Sequence, residues 1–189
     1  MDSRIGKLFL NAGPGYGGAC LPKDISALIK FSDKIGVKPI LLSAVEKTNH
    51  EQMNNIISLI KKILGDITAK RITILGTAFK PNTDDVRDSK SIELIKKLLK
   101  NKAKITIHDP KAIENTKKIF GEKILYATSI TDALNKSQCV IIMTHWKQYD
   151  ILNNHSIKHM NKKIIIDCRR VLVKKELDAE YYAIGIGKN

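Results

Sequence analysis

Beyond Lys70 the chain alternates short apolar runs with amphipathic helical patterns, and few folds accept that alternation. ITILGTAF (72–79) reads as a buried strand and SKSIELIKKLLK (89–100) as an amphipathic helix. KITIHDP (104–110) is a second strand, ending in Asp109 and Pro110. CVIIMT (139–144) and KIIIDC (163–168) are further apolar runs, with SITDALNKS (129–137) a helix between ILYAT and CVIIMT. Strand and helix in turn predict an α/β fold whose parallel sheet is covered by helices. With 189 residues, 43% of them hydrophobic, the chain can bury a sizeable core, and wholesale disorder is excluded.

The sequence before this region differs in texture. Residues 1–24 are dominated by glycine, with Gly13, Gly15, Gly17 and Gly18 in one short stretch. Such density marks backbone that turns tightly or approaches another group closely. Residues 25–68 read as helical. A first segment places Ile25, Leu28 and Ile29 on one face and stops at Gly36; a second runs from about Pro39 to Leu64, and Gly65 ends it. At 1.5 Å per residue the second helix is roughly 35–40 Å long. Its apolar stripe fits either one core-facing helix or a surface shared with a second subunit. The boundary of the sheet domain, 69–189, falls near Gly65–Lys70.

Three cysteines at unrelated spacings exclude a disulfide framework and a Cys-x-x-Cys zinc site, and no metal is expected. No apolar run reaches the ~18–20 residues of a membrane span. The expectation is a cytoplasmic protein in a reducing compartment, with no membrane partner. The formal net charge of +14 comes from 28 Lys and only five Arg, beside 19 acidic residues. Nucleic acid is not the expected partner: aromatics are 5% of residues, and no helix-turn-helix or stacking strip is present.

Two constellations carry chemistry. Asp109, closing the second strand, stands where a dinucleotide fold puts its ribose-binding acid, but the preceding turn, GTAFKPNTDDVRDS, has one glycine and is too long for that role. This loop holds Lys80, Asp84, Asp85 and Arg87 at the carboxyl end of a strand; it is either a ligand loop or a polar connection capped by Asp88 or Ser89. Cys20 is the sharper signal. It follows the glycines and precedes Pro22-Lys23-Asp24, the opening of a helix, where free N–H groups, the dipole and Lys23 favour a thiolate. Asp24 lies one helical turn on, within reach of a water near the sulfur. Cys139 and Cys168 read as small buried hydrophobes.

GPGYGGACLPKD resembles the active-cysteine signature of the UDP-glucose/GDP-mannose dehydrogenase family. TAFKPNTDDVRDSKSIELI resembles its nucleotide-sugar loop, and DSRIGKLFL and DCRRVL are further matches in family order. The resemblance implies a long central dimer-forming helix followed by a Rossmann-like, parallel-sheet domain that binds a nucleotide-sugar. It implies two NAD-dependent oxidations of a sugar's primary alcohol, with Cys20 holding the substrate as a thiohemiacetal and then a thioester.

On the same grounds Asp24 orders the hydrolytic water and Lys23 lies beside the nicotinamide. Arg4, Phe9, Asn11, Ala12, Gly13, Gly15, Tyr16, Gly17, Phe79, Lys80 and Arg169 contact the substrate, Arg4 across a dimer interface. Cys20, Lys23 and Arg87 border the NAD. The Cys-Leu-Pro-Lys-Asp run fits the UDP-glucose and GDP-mannose branches better than the N-acetyl-sugar branch. The family's amino-terminal NAD-binding domain has no counterpart here, because Met1 lies nineteen residues before the nucleophile. The resemblance therefore reaches the carboxyl-terminal half only. It implies a homodimer through the 39–64 helix, a separate NAD-binding half as partner, and no turnover by this chain alone.

Overall fold

The computed structural model describes residues 6, 10–172 and 175–186. Arg4 and Phe9 lie outside them. In chain order the elements are α1 (Leu21–Lys34), α2 (Ile40–Leu64), β1 (Arg71–Leu75), α3 (Lys90–Lys100), β2 (Lys104–His108), α4 (Ile113–Phe120), β3 (Leu125–Tyr126), α5 (Ile130–Leu134), β4 (Cys139–Ile142), β5 (Ile164–Asp167) and β6 (Glu180–Ala183). The strands form one sheet in the order β3-β2-β1-β4-β5-β6, and every pairing is parallel. The α/β architecture expected from the alternation is present.

Both sheet faces are buried, which is why the strands read as unbroken apolar runs. Ile72, Ile74, Ile105, Ile107 and Ile141 face α2 and α3. Leu75, Val140, Ile142 and Ile165 face the opposite layer, with Leu134, Trp146 and Tyr149. Cys139 and Cys168 are buried, and burial pushes both thiols well above the ordinary range. As expected, both behave as apolar filling.

Element ends differ from the pattern for local reasons. The run 72–79 stops being a strand at Leu75, because Gly76 turns at φ +90° and the next two amides leave the ladder for Asp109. α5 covers only part of 129–137, since Lys136 turns at φ +58° and the Ser137 hydroxyl bonds Cys139 O. α4 and the edge strand β6 carry weak patterns that do not mark them in the sequence.

Strand order reverses direction at the carboxyl ends of β1 and β4: β1 pairs with β2 on one side and β4 on the other. Open α/β sheets bind ligands in the crevice at such a point. The loops after β1, β4 and β5 all arrive here.

α2 is core-facing over only part of its length. Its second half is core: Met53 and Ile60 are fully buried, Ile56 nearly so, all packed on the sheet layer with α3. Its first half is not. Ile40 is 78% and Leu41 76% exposed, and Phe31, Ile35 and Val37 around the α1–α2 turn are also exposed. α1 buries no residue at all.

Candidate functional site

The glycine loop lies across the carboxyl ends of β1 and β4, and each of its turns is fitted to one neighbour. Gly13 lies against the Arg169 guanidinium, Gly17 against the Asp88 carbonyl, and Gly18, at φ +90°, against the Phe79 ring. A Cβ on Gly18 would stand 2.6 Å from that ring, and the conformation itself disfavours an L side chain. Gly18 N–H donates to Arg87 O at 3.1 Å, joining the loop to the segment after β1. That segment, 76–89, is thus the loop's seat as well as a connection. It ends at Ser89, the N-cap of α3, whose hydroxyl donates to Thr77 O at 2.7 Å and accepts from Ser91 N–H.

Cys20 is exposed at the N-cap of α1, and its carbonyl accepts from Asp24 N–H at 2.8 Å. Lys23 and Asp24 are exposed in the first turn of α1. Arg87 lies close to Cys20, but its fork is held by Asp85 at 2.6–3.0 Å. That pairing lowers the Asp85 carboxyl below its usual range and raises Arg87. Lys80 stands exposed with its ammonium 5.4 Å from the centre of the Phe79 ring. Asn11 is exposed and Ala12 half-buried at the start of the loop.

Arg169 follows β5. Its Nε donates to Met143 O at 2.7 Å, and its amide donates to Asp167. Burial pulls its pKa below the ordinary arginine value, partly offset by Cys168. No carboxylate among the described residues pairs with it. A guanidinium desolvated without a counter-ion is an uncompensated charge, and an anionic ligand at the narrow crevice that Arg169 lines with Gly15 and Gly17 would relieve it.

Two residues the sequence did not single out complete the setting. Asn49, on α2, takes Tyr16 N–H on its Oδ1 at 2.8 Å and donates from Nδ2 to Tyr16 O at 3.1 Å. Its signal was a polar side chain in the apolar stripe, between Val45 and Met53 at four-residue steps. Lys90 borders Gly15 and pairs with Glu93 at 3.2 Å.

Asp109 does not serve the sheet as a ribose acid. Its Oδ2 accepts from Thr77 N–H, Ala78 N–H and Trp146 Nε1–H, and its Oδ1 from Lys111 N–H and Ala112 N–H. Five donors occupy a carboxylate only 2% exposed. The first turn of the sheet therefore does not fit a dinucleotide, in agreement with its single glycine.

Comparison with known proteins names the architecture. Residues 73–174 match the UDP-binding domain of the UDP-glucose/GDP-mannose dehydrogenase family, and residues 1–51 match its central domain. The chain belongs to the UDP-glucose/GDP-mannose dehydrogenase family. It is 40% identical over 191 residues to a UDP-glucose 6-dehydrogenase of Rickettsia conorii, covering 98% of this chain and 44% of that protein. A UDP-glucose 6-dehydrogenase of Bacillus subtilis is 35% identical over 189 residues, covering 98% and 41%.

Among solved structures, a UDP-glucose dehydrogenase from Pyrobaculum islandicum superposes with a TM-score of 0.88 at 33% identity, over 99% of this chain and 42% of that one. A GDP-mannose dehydrogenase of Pseudomonas aeruginosa shares the fold, with a TM-score of 0.79 at 22% identity over 97% and 43%. The chain thus spans less than half the length of the relatives it matches. Among the described residues no helix is long and apolar enough to cross a membrane.

In this family member the Asp109 staple holds the loop that seats the glycines. Asp109→Ala leaves five N–H groups without their acceptor and is expected to destabilise the protein by ~3 kcal/mol or more. Urea unfolding at neutral pH, followed by circular dichroism, measures it.

Proposed function

We propose that these residues form the covalent and sugar-nucleotide-binding part of a UDP-glucose 6-dehydrogenase. The observation that carries the reading is Arg169: a half-buried cation, fixed by Met143 O and unpaired among the described residues, facing the glycine loop at the sheet's switch point. Its fork suits a diphosphate, and the glycines let ligand approach the backbone. Similarity to UDP-glucose 6-dehydrogenases at 35–40% identity supports UDP-glucose over other sugar nucleotides. GDP-mannose and N-acetylated UDP-sugars are the competing substrates.

In this reading Phe79, Lys80, Arg169 and the stretch Asn11–Gly17 hold the substrate. Cys20 Sγ adds to the carbon of the sugar aldehyde, and the proton goes to the aldehyde oxygen, giving a thiohemiacetal. The covalent bond keeps a reactive aldehyde from escaping. Water, ordered by Asp24, later cleaves the thioester to release a carboxylate and free Cys20. NAD would accept the hydrides of both oxidations. Lys23 and Arg87 would border it, with a separate NAD-binding half supplying the rest of its site. Hydride transfer requires a firmly held nicotinamide, so residues 1–189 by themselves are expected to be inactive.

The exposed apolar side chains around the α1–α2 turn support a homodimer. Leu28, Phe31, Ile35, Val37, Ile40 and Leu41 are each at least half exposed, a concentration of apolar surface that marks an interaction face. A reducing, cytoplasmic location suits the three free cysteines.

Titration calorimetry with UDP-glucose, UDP-N-acetylmannosamine and GDP-mannose should show tightest binding of UDP-glucose, and Arg169→Ala should weaken it about 10- to 100-fold. Preference for GDP-mannose would overturn the assignment. With an NAD-binding half of a relative supplied in trans, UDP-glucose should yield NADH with the wild-type chain and none with Cys20→Ala. Equal rates would end the covalent mechanism. Leu41→Asp should convert a dimer to monomer in sedimentation velocity without loss of helical content.

A further inference from the structure

We propose that Asn49 is the positioning residue for the sugar-nucleotide loop, fixing Gly15 and Tyr16 in binding geometry before any ligand arrives. The proposal deepens the UDP-sugar reading and rests on it. The Asn49 carboxamide closes on a single residue from both sides: Oδ1 accepts Tyr16 N–H at 2.8 Å, and Nδ2 donates to Tyr16 O at 3.1 Å. It thereby satisfies the donor and the acceptor of one main-chain residue, as a neighbouring strand would.

The clamp reaches across 33 residues of chain, and Asn49 is only 8% exposed. Gly15 packs directly on its Oδ1, at φ +109°, so that both the space and the backbone angle there require glycine. The loop is thus built to receive this side chain.

What makes the clamp informative is where α2 is anchored. Met53, Ile56 and Ile60, beginning one turn farther along, are buried in the sheet layer. One and two turns back, Val45 and Leu41 are exposed. Asn49 therefore occupies the outermost buried position of the helix, and through it the loop takes its place from the rigid sheet domain. Covalent connection alone would tie the loop only to α1, which buries nothing.

The opposite end of the same loop is held by Gly18 N–H on Arg87 O, two residues before Cys20. Loop and nucleophile are referenced to one frame. A leucine at this position would continue the apolar stripe and fill similar volume, so packing alone does not call for asparagine. Preordering removes loop entropy from the binding step, and that gain appears in affinity.

The test uses residues 1–189 with Asn49→Leu and the near-isosteric Asn49→Asp, read by hydrogen exchange at the Tyr16 amide and by calorimetry with UDP-glucose. In the wild type the Tyr16 amide should be protected. Asn49→Leu should lose that protection and bind UDP-glucose about 10- to 30-fold more weakly, as expected for two ordinary hydrogen bonds. Asn49→Asp keeps the acceptor for Tyr16 N–H but sets an oxygen against Tyr16 O, and should bind more weakly while retaining partial protection. If Asn49→Leu fails to fold, Asn49→Asp carries both readings.

Arg169→Ala serves as control: it should weaken binding with Tyr16 exchange unchanged, which separates a ligand contact from a positioning residue. Unchanged Tyr16 exchange in the Asn49 variants, or undiminished UDP-glucose affinity, overturns the proposal. Absence of UDP-glucose binding by the wild type would instead overturn the function proposed above, and the exchange data would still decide the clamp.

Discussion

The seating of the glycine loop on the carboxyl ends of β1 and β4 is the contact on which the rest of the site depends. Four separate neighbours meet it where a side chain would stand: Arg169 at Gly13, Asn49 at Gly15, the Asp88 carbonyl at Gly17 and the Phe79 ring at Gly18. These come from the loop after β5, from α2 and from the 76–89 segment between β1 and α3, which supplies both Phe79 and Asp88. A short segment thus gathers three parts of the molecule, and Cys20 follows at the cap of α1.

Beneath the seat, two buried acids hold the loops in place. Asp109 gathers five N–H groups and fixes the segment that carries Phe79 and Arg87. Asp167 likewise accepts from Arg169 N–H, Leu172 N–H and the Tyr181 hydroxyl. A buried carboxylate is tolerated only when its oxygens are hydrogen-bonded. Both acids close a strand and pin the loop that follows. The sheet keeps the outline of a dinucleotide fold, while its first turn is reshaped into a support for the cysteine loop.

Legibility followed the scale of the interaction. The strand cores, α2 and α3 could be read directly, because burial on both sheet faces and a helical apolar stripe leave periodic traces. α4 and β6 left faint ones. The glycines and Cys20 stood out by composition, yet their partners did not: Asn49 is an isolated polar residue in a stripe, visible only as an interruption. Arg87 was legible as a residue of the loop, but its bidentate hold on Asp85 is a rotamer choice that spacing does not encode. Net charge was the least informative feature. It is spread over many lysines, whereas the crevice itself holds a single half-buried arginine, Arg169, among the described residues.

The sequence by itself determined the parallel α/β sheet, the helical segment before it, the family resemblance and which cysteine stands apart from the core. These depend on local periodicity and on residue types whose chemistry is intrinsic. Only the tertiary structure decided which half of α2 is core and which half is exposed surface, that Asp109 is consumed by main-chain donors, and that Asn49 and Arg169 meet the glycine loop. Each of those depends on side chains brought together from distant positions, 33 residues apart for Asn49 and Tyr16. Distance in the chain carries no record of such contacts; the packing of α2 and the loops on one sheet creates them.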